Sequence, residues 1–207
     1  MHTTDCDLIN RSSVSSILEW ALDAGKAAGI VTTTRITHAT PAASYAHTAY
    51  RDWESSIPVL VTGASQCKDI ARQLIENYPG NRLNVILGGG RREFMPKGEL
   101  DPKGLLRHGR LITAEGYRKD GQNLIKQWLR DKEEYQKKVD PAAHYIYVNS
   151  TKGLRDVDYD KVRYLFGLFN HTNLEYEPLR DKGEQGEPSL TEMTEAAIKV
   201  SERNLII

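Results

Sequence analysis

The sequence predicts an α/β fold with a mostly parallel sheet and helices on both faces. Three observations carry that expectation. Short β-branched apolar runs alternate with longer stretches of helical periodicity, the pattern that builds parallel sheets. The runs are strand-length and the periodic stretches helix-length. Polar and glycine-rich turns separate them, and no internal repeat is present.

Val14, Ile17, Leu18, Ala21 and Leu22 stripe a first helix, followed by a strand over Gly29–Thr33. Pro41 suits the first turn of a helix expected over Ala42–Ala49. Cys67–Tyr78 reads as another helix, with Ile70, Ala71, Leu74 and Ile75 on one face. Asn84–Leu87 is a second strand, ended by Gly88, Gly89 and Gly90. Leu124, Ile125, Trp128 and Leu129 stripe a further helix. His144–Val148 and Val162–Phe166 complete the strands. Ser189 and Glu192 have the spacing of a capping box, opening a helix striped by Leu190, Met193, Ala197 and Val200 and ending near Asn204. Leu205, Ile206 and Ile207 begin a new apolar run that is short for a strand. The expectation is one partial domain over 1–207, incomplete at its ends, with residues 93–116 as a surface loop region and 181–187 as a second loop.

The chain has 207 residues, 39% hydrophobic and 27% charged, ordinary for a globular protein with a real core. Lys+Arg and Asp+Glu both number 28, so a bulk basic surface for nucleic acid is not expected. No apolar run is long enough to span a bilayer. The first residues lack a basic-then-apolar signal pattern.

The segment Gly29–Trp53, GIVTTTRITHATPAASYAHTAYRDW, is the most informative. It reads strand, polar loop, helix, with His38, Thr40 and Arg51 beyond the strand's carboxyl end, where open α/β sheets place ligands. Each residue has two readings. Thr40 and Pro41 can simply start a helix, the cap being worth about 1 kcal/mol; alternatively the Thr40 hydroxyl is a ligand for Mg²⁺, which prefers oxygen. His38 can be a surface or loop histidine. The six histidines, His2, His38, His47, His108, His144 and His171, show no paired spacing of a transition-metal site. His47 reads as structural. Arg51 can be a solvated helix-end charge, or a guanidinium fork for two phosphate oxygens. A straight helix would hold Thr40 and Arg51 about 15 Å apart. Gly88-Gly89-Gly90-Arg91 fails the dinucleotide fingerprint, because the sixth position is Glu93. It is read as a tight turn.

On the residues VTTTR, HATP, YAH and R-x-W, and over Cys6 to the last residue, the chain resembles the animal alkaline phosphatases, the insect enzymes included. It would be an internal fragment lacking the nucleophile segment and the C-terminal metal-ligand segments. The resemblance implies the following. The fold is alkaline-phosphatase-like. The reaction is hydrolysis of phosphate monoesters by metal-assisted phosphoryl transfer, with two zinc ions and one magnesium in the intact parent. Arg51 binds phosphate, Thr40 ligates magnesium, and His38 stands behind the metal ligands. Cys6 and Cys67 match a disulfide pair. Of the sequons at Asn10, Asn149 and Asn170, that at Asn149 coincides with one common in the family. The family's calcium positions align with Lys103, Phe169, Asn170 and Glu187; a lysine there implies a degenerate calcium site. The intact parent would be an extracellular, lipid-anchored homodimer that binds no nucleic acid. This chain alone would be inactive. The alternative is a non-catalytic truncated or degenerate phosphatase acting as a binding or structural protein. A nucleotide-binding domain is disfavoured by the failed glycine fingerprint.

Overall fold

A computed structural model describes residues 11–58, 67–107 and 110–203. The helix α1 spans Ile17–Asp23, shorter than the apolar stripe suggested, because the Ser16 side chain caps it at Glu19 N; Val14 lies outside and is exposed. The strand β1 covers Gly29–Arg35 and leads into a single helical turn, α2, Ala39–Ala42. The expected helix over Ala42–Ala49 is therefore corrected. Chain 43–49 is turn and coil, and the Tyr45 hydroxyl, buried, donates to Ile36 O at 2.9 Å. That bond folds the segment back onto the loop it has just left.

The helix α3 runs Ile70–Glu76, capped by the Asp69 carboxylate on Arg72 N. Then come β2, Val85–Gly89; β3, Leu105–Arg107; β4, Arg110–Ile112; α4, Leu124–Lys138; β5, His144–Val148; α5, Thr151–Arg155; β6, Val162–Leu168; and α6, Leu190–Arg203. The Ser189–Glu192 capping box is formed in both directions: Glu192 N donates to Ser189 Oγ at 3.1 Å, and Ser189 N to Glu192 Oε2 at 2.8 Å. Asn204 and the run Leu205–Ile207 lie outside the described residues. Segment 93–116 includes the antiparallel β3–β4 ribbon and buries Phe94, Met95 and Asp101.

The main sheet has the order β1-β2-β6-β5, and every pairing is parallel. Gly29 faces Val85 and Val85 faces Leu165, so β1 and β2 begin level and β6 begins at Val162, before that register. Strands β2 and β6 are buried on both faces, as parallel strands between helix layers must be. On one face Ile86, Tyr164, Phe166 and Leu168 pack with Leu74 of α3 and Leu124 and Trp128 of α4. On the other, Val85, Leu87 and Leu165 pack with Leu154 of α5 and Met193, Ala196 and Val200 of α6. The α/β expectation, with helices on both faces, is what the structure shows.

Phe166 is the hub of the first layer. Its ring meets Trp128 at 5.3 Å, Tyr147 at 5.5 Å and Phe94 at 5.6 Å between centroids. Phe166→Ala should cost about 3–5 kcal/mol through lost burial and the cavity left behind. Urea denaturation of the chain measures it; a loss under about 1 kcal/mol, within the range of surface changes, would mean the layer can collapse around the gap.

Candidate functional site

The carboxyl ends of β1, β2 and β6 open into three neighbouring loops, and two of the sequence-predicted residues meet above β1. Ile36 N donates to Gly89 O, and His38 N to Arg35 O, so the polypeptide turns sharply after the strand. His38 occupies the N-cap of α2 with an extended backbone and makes no side-chain cap. Thr40 lies inside the turn and is exposed. The reading of Thr40 as an N-cap is therefore wrong: the helical turn begins before it.

Arg51 also departs from expectation, since it sits in a turn rather than at a helix end. With no straight helix between the two, the separation of about 15 Å does not apply. The Arg51 side chain reaches back, and its Nη2 donates to His38 Nε2 at 3.1 Å. An imidazole that accepts at Nε2 carries its proton at Nδ1 when neutral. His38 Nδ1 is buried with no hydrogen-bond partner among the described residues. His47 is structural: its N donates to Gln73 Oε1, and its Nε2 meets Val14 O at 2.9 Å.

Residues that no sequence pattern singled out hold this geometry. The Arg35 guanidinium forks onto the Glu54 carboxylate, Nε to Oε2 at 2.8 Å and Nη2 to Oε1 at 2.6 Å. Thr37 Oγ1 donates to the same Oε2 at 2.5 Å. Arg35 N is taken by Asn173 Oδ1. The Trp53 and Glu54 carbonyls accept from Ile70 N and Ala71 N. They thereby satisfy backbone donors that the first turn of α3 would otherwise leave open. Glu54 thus ties the Arg51 segment to the end of β1 and to the loop carrying His38. A lone glutamate beside a tryptophan has no periodicity, which is why the sequence did not reveal it. Burial alone would raise the Glu54 carboxyl, but the Arg35 and Thr37 hydrogen bonds and the Arg35 charge outweigh it and hold the group below its usual value.

The glycine turn is no anion cradle. Gly90 N donates to Asn170 O and Thr172 O, Arg91 N to Asn170 O, and Arg92 N to His171 O. Its amides are spent on the neighbouring loop. Gly90 has a left-handed φ of 92°, and a Cβ on Gly89 would lie 2.2 Å from Thr172 O. Beneath this turn Arg91, Asp101 and His171 form a buried charge cluster, with Arg91 Nε at 2.7 Å from Asp101 Oδ1 and His171 Nδ1 at 2.9 Å from Oδ2.

Lys103, Phe169, Asn170 and Glu187 line one pocket of about 310 Å³, together with Arg91 and Asp181. Lys103 Nζ donates to Gln185 O at 2.5 Å. Burial and the nearby Arg91 charge lower the lysine's pKa, and burial raises that of Glu187. Asn170 Nδ2 donates to Glu187 Oε1, and Asn170 Oδ1 accepts from Thr172 N. Asn170 is thus buried and bonded within the loop. Asn149 is half-buried, just before the cap of α5. Cys67 has a partner, but Cys6 and Asn10 lie outside the described residues.

Among the described residues no three His, Cys, Asp or Glu side chains converge as a metal site. A threonine hydroxyl is too weak to hold Mg²⁺ without carboxylates.

A model of the alkaline phosphatase family matches residues 4–205. The chain belongs to the alkaline phosphatase family. It is 44% identical over 197 residues to alkaline phosphatase of Gadus morhua, covering 93% of this chain and 37% of that protein. It is 44% identical to the membrane-bound alkaline phosphatase of Bombyx mori, covering 92% of this chain and 32% of that one. The tissue-nonspecific isozyme of Mus musculus is 42% identical, over 98% of this chain and 36% of its own. The chain thus spans about a third of the length of these relatives. Alkaline phosphatase of Thermus thermophilus is similar in structure, with a TM-score of 0.58 and 27% identity, covering 93% of this chain and 30% of that one.

The Glu54 clamp gives a prediction about acid. A carboxyl held below its unfolded value of about 4.3 stabilises the fold above that pH, and the contribution fades as pH falls through the lower folded value. Removing one partner of such a pair costs about 3–5 kcal/mol. The stability difference between the wild-type chain and Glu54→Gln should therefore be full at neutral pH and shrink below about pH 4. Thermal denaturation across pH checks it; a difference that does not change with pH would mean Glu54 carries no net charge benefit.

Proposed function

We propose that this segment supplies the phosphate-gripping side of a phosphate monoester hydrolase active site, with Arg51 as the phosphate-binding residue. The single observation that carries the reading is the return of Arg51 to His38 at the carboxyl end of β1, on a loop anchored by Glu54. Membership of the alkaline phosphatase family supports it. A guanidinium keeps its charge at every relevant pH and forks onto two phosphoryl oxygens. Most of the catalysis in phosphoryl transfer is positioning and charge stabilisation, which such a fork provides. Arg51 has no carboxylate partner among the described residues, so its charge is open to an anion.

The attacking serine and most metal ligands are assigned to the remainder of a longer protein of which this chain would be part. Two zinc ions and one magnesium are the cofactors we infer for that protein, with Thr40 adding a hydroxyl to magnesium and His38 acting from behind its ligands. Magnesium is bound in the M3 site of a variant of the Antarctic TAB5 alkaline phosphatase, a likeness at 20% identity that concerns the fold. A Cys6–Cys67 disulfide, a glycan at Asn149, a homodimer and a lipid-anchored extracellular location belong to the same proposal. The word membrane-bound in the Bombyx mori relative's name supports the anchor, and no helix among the described residues is long and apolar enough to cross a membrane. The calcium positions we read as degenerate, with the Lys103 ammonium standing where a cation would bind.

A second reading, a non-catalytic binding or structural protein, is favoured by the lack of converging metal ligands among the described residues. The two readings separate in the longer protein. There, Arg51→Ala should raise KM and weaken inhibition by inorganic phosphate. It should also lower kcat if the fork tightens as charge develops on the equatorial oxygens. Arg51→Lys should recover part of the loss, since an ammonium lacks the planar fork. Steady-state kinetics with p-nitrophenyl phosphate measures all three; unchanged kinetics and unchanged phosphate inhibition would remove Arg51 from the site. The 207-residue chain alone should show no turnover above background. Adding Ca²⁺ to it should leave its melting temperature unchanged, and a clear rise would restore the calcium site.

A further inference from the structure

The opposite, amino-terminal end of the sheet carries a second concentration of positive charge that the proposed reaction does not use. Lys26 precedes β1, Asn84 precedes β2 and Arg163 follows the first residue of β6, so all three stand at the edge where the strands begin. They line one pocket of about 310 Å³ with Asp23, Arg82 and Tyr135. That volume falls at the lower end of small-ligand sites.

The charges there are unbalanced. Lys26 and Arg82 are exposed and have no carboxylate partner among the described residues. Arg82 instead lies over the Tyr135 ring, 5.1 Å from its centroid. Arg163 pairs with Asp140 through Nη1 at 2.5 Å, while its Nε is buried with no hydrogen-bond partner among the described residues. Asp23 is the one carboxylate in the lining, and it accepts from the Tyr78 hydroxyl.

Arg82 also borders a second pocket, with Lys132, Glu76, Asp131 and Glu134. Lys132 of α4 is buried, with Nζ 3.6 Å from the Tyr164 ring centroid and one hydrogen bond, to Asn81 O at 2.8 Å. Burial, then repulsion from Arg82, lowers its pKa to about 7, Arg163 adding to the effect, while Asp131 opposes it. Surface cations are usually solvated one by one; here three surround one concavity. Converging cations around a concave surface focus the field and raise the local concentration of anions.

We propose that the pocket formed by Lys26, Arg82 and Arg163 binds a small oxyanion of the phosphate class carrying two or more negative charges, at a site separate from Arg51. Lys26 would offer a point charge and Arg82 a fork, with Arg163, already paired with Asp140, adding a second guanidinium at the rim. The site is independent of the reading of Arg51, since the two lie at opposite ends of β1.

Pyrophosphate titrated into the 207-residue chain by calorimetry tests this, with Arg51→Ala as background so that anion binding near His38 is removed. Binding should persist in Arg51→Ala and weaken at least tenfold when Lys26→Gln and Arg82→Gln are added. Both positions are exposed, and an unchanged melting temperature would show that the variant folds. Asp23→Asn should act in the opposite direction and tighten binding, because it removes the lining's one negative charge. Tighter binding in one variant and loss in the other cannot both come from a damaged fold. No pyrophosphate binding in the Arg51→Ala background, or equal binding with and without Lys26 and Arg82, would overturn the proposal.

Discussion

Parallel pairing of β1, β2 and β6 is the constraint from which the rest follows. Parallel strands send all their carboxyl ends to one edge and all their amino ends to the other. The loop with His38 and Thr40, the glycine turn and the Asn170 loop are neighbours because their strands run in step. Burying β2 and β6 on both faces then requires two helix layers, which α3 and α4 supply on one side and α5 and α6 on the other. Since helices cover both faces, the ends of the strands are where ligands can reach.

The carboxyl-end loops are held by side chains that look functional and are structural. Arg91, Asp101 and His171 are almost fully buried and satisfy one another. Arg118 likewise forks onto Asp69 and also meets Asp120, joining the residue that caps α3 to the segment after β4. Burying such groups is costly unless they are paired and hydrogen-bonded, and here they are. Their effect is to fix irregular backbone where no sheet or helix would. The 93–116 segment, with its Gly, Pro and charge, owes its order to these pairs as much as to Phe94 and Met95.

Strands were the most legible part of the sequence. His144–Val148 matches in full, and the other three main strands are found at or within a few residues of their apolar runs. The capping box of α6 was legible too, because its two residues act over three positions. The helix expected over Ala42–Ala49 was not. Its alanines favour helix, but the Tyr45 hydroxyl finds the Ile36 carbonyl and the chain closes after one turn. That tertiary bond overrides local propensity. The same override changed the site. Thr40 is not the cap, and Arg51 is not at a helix end, so both bland explanations lose their geometry. Glu54 was illegible for a different reason: its partners lie 17 and 19 positions away, at Thr37 and Arg35, and no local pattern encodes that distance.

What separates the structural cations from the candidate ligand-binding ones is partnership rather than position. Arg35 and Arg118 each fork onto a carboxylate and Arg91 pairs with one through Nε, so their charge is already neutralised. An anion would have to displace that carboxylate in competition with a pre-organised ion pair. Among the described residues, Arg51 meets the His38 imidazole and Arg82 the face of a tyrosine, and neither meets a carboxylate. An arriving phosphate need displace no carboxylate from either. Exposure alone would not rank them, because Lys137 and Lys138 are also exposed and are spent on Glu133 and Glu134 one helical turn away. The fold therefore neutralises the arginines it uses to shape its loops. Among the described residues, Arg51 and Arg82 are left without a carboxylate, one at each end of the parallel sheet.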